Sequence, residues 1–227
     1  MTTAGRFPRV VLFDLDGTLL DSAPDMLATV NALRAARGIA PMPLQDLRPH
    51  VSRGARAMLA AAFPGLDADA RERLVDPFLG EYRRVLGHFG RPFVDIETLL
   101  ALLESDGARW GIVTNKPQAL ARALLPLLGW ESRCAVLIGG DTLPLRKPDP
   151  LPLRIAAARL NIAPAACAYV GDDQRDIAAA RAAGMPSIAA LWGYRTAQDD
   201  PLAWQAEAAL EQPADLLQPG IWPTARR

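Results

Sequence analysis

The sequence of 227 residues predicts an α/β protein, with a doubly wound parallel-sheet core and an inserted α-helical cap. Three observations support this fold class. Short apolar runs recur along the chain, each ends in polar or glycine residues, and the stretches between the later runs have helical features. Continuous apolar runs are typical of parallel strands that are buried on both faces. Ligands of such sheets bind at the carboxyl ends of the strands, where these polar residues lie.

Strands and helices alternate in the predicted core. Each predicted core helix has a proline near its start, a glycine just past its end, or both, as helix boundaries often do. The predicted strands are residues 9–13, 110–113, 135–138, 166–170, 187–191 and 208–211. The predicted core helices are residues 117–128, 150–160 and 174–183. This alternation favours a doubly wound sheet.

The stretch after the first strand interrupts the alternation and contains no convincing strand. The helices predicted there are residues 24–37, 51–63 and 71–86. We therefore expect an α/β core of residues 1–19 and 91–227, and a helical cap of residues 20–90. Residues 219–227 are expected to be loosely ordered.

Composition argues against several classes of partner. The 25 Lys and Arg residues balance 25 Asp and Glu residues, and no basic cluster with aromatics stands out, so we expect no nucleic acid partner. The first apolar run, residues 10–13, is too short for a signal peptide or a membrane span. Cys134 and Cys167 form no CxxC pair and are expected to be reduced thiols. We expect a cytoplasmic protein with no membrane partner, either a monomer or a homodimer.

Two carboxylates follow the first predicted strand. Asp14 is a candidate nucleophile, because aspartate carboxylates form acyl phosphates in phosphotransfer enzymes. Asp16 can protonate a leaving oxygen and later activate water, and Gly17 permits a tight turn between strand and helix. On spacing alone, two turn-forming aspartates are the structural alternative.

A second acidic cluster, Asp172, Asp173 and Asp176, follows another predicted strand. Three acids this close repel one another, and a divalent cation such as Mg²⁺, which prefers oxygen ligands, would relieve the repulsion. Helix N-capping by Asp172 or Asp173 is the structural alternative.

Two further motifs could contact a phosphate. Lys147 stands before Pro148 in a Lys-Pro-Asp-Pro segment, and a rigidly held lysine can neutralise a nucleophile and a phosphoryl group. Thr114 and Asn115 end a predicted strand just before a helix N-terminus, which suits phosphate binding. Taken alone, each motif is better explained structurally, Lys147 as a solvated surface lysine and Thr114 as an ordinary helix cap.

Together these four motifs resemble those of the haloacid dehalogenase superfamily, and within it the phosphoglycolate-phosphatase-like branch. The resemblance covers nearly the whole chain, including the cap. It implies a Mg²⁺-dependent phosphatase that forms an aspartyl phosphate on Asp14. Asp16 would be the acid and base, Thr114 would bind the phosphoryl group, Lys147 would pair with it, and Asn115 would contact the substrate.

The resemblance also implies a metal site. Asp14, the backbone carbonyl of Asp16 and Asp172 would bind Mg²⁺ directly. Asp173 and Asp176 would contact these ligands rather than the ion, or would reach the ion through water. Asp173 departs from the family pattern, in which Ser or Thr is common at this position.

The cap would select the substrate, a small phosphate ester. Arg53 and Arg56 could bind a substrate carboxylate bidentately, although solvated helix arginines are about as frequent. This cap stretch, Asp173 and residues 192–194 are similar to the bacterial N-acetylmuramic acid 6-phosphate phosphatases, where a glycine is usual at the position of Arg53. The resemblance implies N-acetylmuramic acid 6-phosphate or 2-phosphoglycolate as substrate. The alternatives are a sugar-phosphate mutase of the same fold and a non-catalytic scaffold protein.

Overall fold

The computed structural model describes residues 6–218 and 220–223. Six strands form one parallel sheet in the order β5-β4-β1-β6-β7-β8, and two short strands, β2 and β3, form a separate antiparallel ribbon. The strands are β1 (Val10–Phe13), β2 (Leu20–Asp21), β3 (Arg91–Pro92), β4 (Arg109–Val113), β5 (Leu137–Ile138), β6 (Cys167–Gly171), β7 (Ser187–Ala190) and β8 (Ala208–Leu210). The predicted parallel α/β core is confirmed.

Nine α-helices accompany these strands in the described part of the chain. They are α1 (Ala23–Ala35), α2 (Leu44–Leu47), α3 (Ala55–Ala62), α4 (Ala68–Glu72), α5 (Val75–Val85), α6 (Ile96–Ser105), α7 (Gln118–Leu127), α8 (Leu151–Arg159) and α9 (Gln174–Ala183). Helix α6 was not predicted, and the helix predicted over residues 71–86 is two helices, α4 and α5. The helix predicted from residue 51 begins only at Ala55, because Gly54 has a φ of 84° that a helix does not accommodate.

The two faces of the central strand are covered by different helices. Val11 and Phe13 of β1 belong to a buried apolar cluster that includes residues of α6 and α7. Val10 and Leu12 belong to a second cluster, built with residues of α8 and α9. Successive strand residues point to opposite faces, so β1 is buried on both sides, as its uninterrupted apolar sequence predicts.

The segment between β2 and β3 contains five of the helices, α1 to α5. Its two ends meet in the β2–β3 ribbon, where Leu20 pairs with Pro92 and Asp21 with Arg91. The expectation of no strand in residues 20–90 is therefore wrong for Leu20 and Asp21, which form β2. Their pairing with residues about 70 positions later leaves no pattern in the local sequence. The division into core and cap domains stays a prediction.

The end of the chain is partly packed. Residues 219–227 were expected to be loosely ordered, but Trp222 is buried. Its ring packs edge-on against that of Phe7, with the ring centroids 5.9 Å apart. Residues 219 and 224–227 lie outside the described part. No helix in the described ranges is long and apolar enough to cross a membrane.

Candidate active site

Three neighbouring strands bring the predicted site residues to one edge of the sheet. Asp14 follows β1, Thr114 follows β4 and Asp172 follows β6, and these strands lie side by side with β1 in the middle. The backbone N–H of Asp14 donates to the Val170 carbonyl at 2.9 Å, and that of Thr114 donates to the Ile138 carbonyl at 2.9 Å. The site is therefore held by the hydrogen-bond ladder of the sheet itself.

Asp14, Asp172 and Asp176 form a buried carboxylate cluster. One oxygen of each lies within 4.8 Å of the others. Burial and the nearby Asp14 carboxylate raise the pKa of Asp172 well above its usual range. Burial raises the pKa of Asp176 to about 7, with Asp14 adding to the shift and the Lys147 ammonium opposing it. Three buried carboxylates are costly without compensating positive charge.

Lys147 supplies part of that charge. Its Nζ lies 2.9 Å from Oδ1 of Asp14 and 2.6 Å from Oδ1 of Asp176, and only about 3% of the residue is exposed. The ammonium also donates to the Tyr169 hydroxyl at 2.8 Å, and that hydroxyl donates to the Val113 carbonyl at 2.8 Å. Burial disfavours the charge, but Asp14 and Asp176 outweigh it and raise the pKa of Lys147. Lys147 is thus a fixed cation beside Asp14, as the Lys-Pro motif predicts.

Asp172 is fixed by groups from three parts of the chain. Its Oδ1 accepts from the Thr18 hydroxyl at 3.1 Å, and its Oδ2 accepts from the Ser52 hydroxyl at 2.8 Å and the Tyr194 N–H at 2.9 Å. A Cβ at Gly17, whose φ is 86°, would lie 2.2 Å from Oδ2 of Asp172. Gly17 therefore serves the approach of this carboxylate as well as the turn.

Asp173 caps a helix, which is the structural alternative given for it in the sequence analysis. It is the N-cap of α9, where its carboxylate accepts from the Arg175 N–H and also pairs with the Arg175 guanidinium, Nε to Oδ1 at 2.7 Å. Asp176 completes the capping box by accepting from the Asp173 N–H at 3.1 Å. Of the three acids in this motif, the described structure brings Asp172 and Asp176 to Asp14, and turns Asp173 toward the helix.

Asp16 is paired with a lysine that sequence analysis did not select. Both Asp16 carboxylate oxygens lie 3.0 Å from the Lys116 Nζ, which also donates to the Tyr82 hydroxyl at 2.6 Å. Lys116 and Tyr82 are both buried, and Tyr82 belongs to α5. Lys116 directly follows Thr114 and Asn115, so its position near the strand end could have been predicted from the sequence. Its contact with Tyr82 could not, because Tyr82 lies on a helix far away in sequence.

Thr114 and Asn115 lie at the same edge. The Thr114 hydroxyl accepts from the Lys116 N–H at 3.2 Å, which fixes the turn into α7. The Asn115 amide donates to the Lys147 carbonyl at 2.9 Å and so ties the two loops together. Its Oδ1 is buried with no hydrogen-bond partner among the described residues.

A cleft of about 300 Å³ opens between the strand ends and the cap helices. Asp14, Asp16 and Thr114 lie at its base. Arg53 and Arg56 line its cap side, but both already have acidic partners. The guanidinium of Arg53 lies 2.9 Å from Asp199, and that of Arg56 pairs bidentately with Glu72.

The carboxylate cluster fits a divalent cation. Oδ1 of Asp14 is buried, and although Lys147 is near, no described group donates a hydrogen bond to it in proper geometry. A buried oxygen that has only this ion pair, beside two carboxylates with raised pKa values, matches the hard oxygen ligands that Mg²⁺ takes.

Comparison with known proteins identifies the family of this chain. The family model described as haloacid dehalogenase-like hydrolase matches residues 8–184. A phosphoglycolate phosphatase of Xanthomonas campestris pv. campestris is 63% identical over 96% of this chain and 99% of that protein. An N-acetylmuramic acid 6-phosphate phosphatase of Pseudomonas aeruginosa is 43% identical over 92% of this chain and 93% of that protein. The chain belongs to the haloacid dehalogenase-like hydrolases.

Solved structures agree as well. The crystal structure of a predicted phosphoglycolate phosphatase from Haemophilus somnus matches with a TM-score of 0.82 at 25% identity, over 95% of this chain and 98% of that one. Within its family, the chain is a phosphatase of the phosphoglycolate-phosphatase-like branch. The expected family, branch and enzyme class are confirmed.

Proposed function

We propose that this phosphatase depends on Mg²⁺ and hydrolyses a small carboxylated phosphate ester through an aspartyl phosphate on Asp14. One observation carries the proposal. Asp14 lies beside a buried lysine, Lys147, and two buried carboxylates, Asp172 and Asp176, at the base of a cleft that also contains Asp16. This arrangement suits attack by one anion on another, since the nucleophile is surrounded by groups that bind and balance charge.

The proposed reaction has two steps. An Asp14 carboxylate oxygen bonds to phosphorus as the ester P–O bond breaks, and Asp16 gives a proton to the leaving alcohol. Water then attacks phosphorus, Asp16 takes its proton, and phosphate leaves Asp14 as a free carboxylate. Lys116 contacts both Asp16 oxygens, so it orients that carboxylate before a substrate arrives. Thr114 and Lys147 would bind the phosphoryl oxygens.

Asp14 and Asp172 would hold Mg²⁺, with the backbone carbonyl of Asp16 as a further ligand, and Asp176, whose oxygens accept from Lys147 and the Asp173 N–H, would act through water or by orienting these groups. The bound ion supplies positive charge that offsets the carboxylates and the phosphate. Asp173, paired with Arg175, would act only by capping α9.

The substrate proposal comes from the relatives. The two named above are called phosphatases of phosphoglycolate and of N-acetylmuramic acid 6-phosphate, and both compounds carry a carboxylate. We propose the same class for this chain, and phosphoglycolate ranks first because identity to the relative named for it is higher, 63% against 43%. We also propose a cytoplasmic protein, which the free thiols of Cys134 and Cys167 support.

Phosphate release tests this function. With Mg²⁺, kcat/KM for 2-phosphoglycolate or N-acetylmuramic acid 6-phosphate is expected to exceed that for glucose 6-phosphate by at least about tenfold, and EDTA should abolish release. Whichever carboxylated ester gives the higher kcat/KM is the better substrate. Equal rates for all three would contradict the substrate class. Isomerisation of a sugar phosphate without phosphate release would favour the mutase alternative.

Mg²⁺ binding is expected to release protons near neutral pH. In the metal-free site the pKa of Asp176 is about 7 and that of Asp172 is also raised, whereas Mg²⁺ binds ionised carboxylates. Protonation therefore competes with the metal, and affinity should fall as pH is lowered from about 8 to about 6. Calorimetric titration in buffers of different ionisation enthalpy measures both effects. No proton release and equal affinity at both pH values would contradict this account.

A further inference from the structure

Five cationic side chains line the cleft, and they differ in whether they are already engaged. They are Arg53, Arg56, Lys116, Arg146 and Arg175. Four of them hold a carboxylate partner. The pairs are Arg53 with Asp199, Arg56 with Glu72, Lys116 with Asp16, and Arg175 with Asp173.

Arg146 is the exception. Among residues 6–218 and 220–223, no carboxylate lies within ion-pair distance of its guanidinium and no side-chain hydrogen bond involves it. Its backbone is nevertheless well placed, because its carbonyl accepts from the Asp149 N–H at 3.0 Å. Arg146 also directly precedes Lys147, whose ammonium is fixed beside Asp14. An exposed, uncompensated guanidinium thus lines the cleft on the loop that carries the buried lysine of the site.

We propose that Arg146 binds the carboxylate of the substrate and so sets the preference for carboxylated phosphate esters. This inference deepens the proposed function and rests on it. A substrate carboxylate can pair with Arg146 without displacing another acid, whereas Arg53 or Arg56 would have to leave or share its partner. The guanidinium presents two parallel donors that match a carboxylate, and such charge-assisted pairs are stronger than neutral hydrogen bonds.

The charge balance of the cleft supports this choice. At its base, Lys147 and Lys116 are committed to the acids Asp14, Asp176 and Asp16. A substrate with a phosphate at one end and a carboxylate at the other needs a second cation away from the phosphate. Arg146 is the cleft residue that offers it without a competing acid among the described residues.

The test compares matched substrates on single variants. 2-Phosphoglycolate carries the carboxylate, and ethyl phosphate, which has the same chain length, lacks it. Arg146→Ala is expected to lower the ratio of their kcat/KM values by about 10-fold to 100-fold, and Arg146→Lys by less, because lysine keeps the charge but not the two parallel donors. Arg159→Ala, at an exposed arginine in the last turn of α8 outside the cleft, is the control and should leave the ratio unchanged.

The outcomes separate this inference from the proposed function. If the wild type prefers 2-phosphoglycolate and Arg146→Ala keeps that preference, Arg146 does not bind the carboxylate. If Arg53→Ala or Arg56→Ala removes the preference instead, the cap arginine concerned has this role. If the wild type hydrolyses both esters equally, the proposed substrate class itself is wrong. Equal losses on both esters in Arg146→Ala would show a general effect on the site and overturn the inference.

Discussion

Asp14→Asn is expected to lower kcat by about 10⁴-fold or more on every phosphate ester, while the protein stays folded. An amide of nearly the same shape replaces the carboxylate, so packing at the end of β1 is kept but the anionic nucleophile is lost. The change also removes one of three crowded carboxylates, and Lys147 keeps its pair with Asp176, so the stability of the metal-free variant should stay close to that of the wild type. Steady-state kinetics and urea unfolding in EDTA measure the two effects.

Asp95→Asn is the matched control. It makes the same chemical change outside the cleft, at a residue with a φ of 68°, which asparagine adopts readily. Its kcat should stay close to that of the wild type. Near-normal activity of Asp14→Asn, or an equal loss in both variants, would contradict the role assigned to Asp14.

Lys147→Met is expected to lower both stability and activity. Methionine fills much of the same volume, but it leaves Asp14 and Asp176 buried without their cation, and breaking a buried pair in this way typically costs about 3–5 kcal/mol. The loss should be largest above about pH 7, because protonation of Asp176 partly relieves it at lower pH. Urea unfolding in EDTA at two pH values measures this dependence. The kcat should also fall, by about 10²-fold or more.

The double variant Lys147→Met with Asp176→Asn separates charge from packing. If the cost comes from an unpaired carboxylate, removing that carboxylate should recover part of the stability but not the activity. A Lys147→Met variant that loses less than about 1 kcal/mol, or a double variant with additive losses, would argue against a stabilising ion pair here.

The core of this fold and the residues at the base of its site can be predicted from local sequence patterns. The strands β1, β4, β6 and β7 are short, mainly apolar and mainly buried, and the first three end where a polar motif begins. Helix α9 has the predicted bounds because Asp173 caps its start and Gly184, in a left-handed conformation, ends it. The parallel order of the strands then brings their carboxyl ends together, which places Asp14, Thr114 and Asp172 at one edge.

Contacts between segments far apart in sequence could not be predicted from local patterns. The Tyr82 hydroxyl reaches Lys116 and the Ser52 hydroxyl reaches Asp172, and neither pair is close in sequence. Which of Asp172 and Asp173 caps the helix was also left open by the sequence. Arg175 is close in sequence to Asp173 and pairs with it, but the backbone N–H that donates to Asp172 belongs to the distant Tyr194. Arg53 and Arg56 were predicted to bind substrate from the local sequence around them. Their ion-pair partners, Asp199 and Glu72, are not close to them in sequence, so these pairs could not be predicted.

Trapping the phosphoenzyme tests the central claim most directly. The enzyme is quenched with acid during turnover of its best substrate, reduced with borohydride, and digested for peptide mass spectrometry. Borohydride converts an aspartyl phosphate to homoserine, so the account predicts homoserine at position 14 in the wild type and none in Asp14→Asn. Homoserine at another aspartate, or unchanged Asp14 during a burst of alcohol release, would contradict an aspartyl phosphate on Asp14.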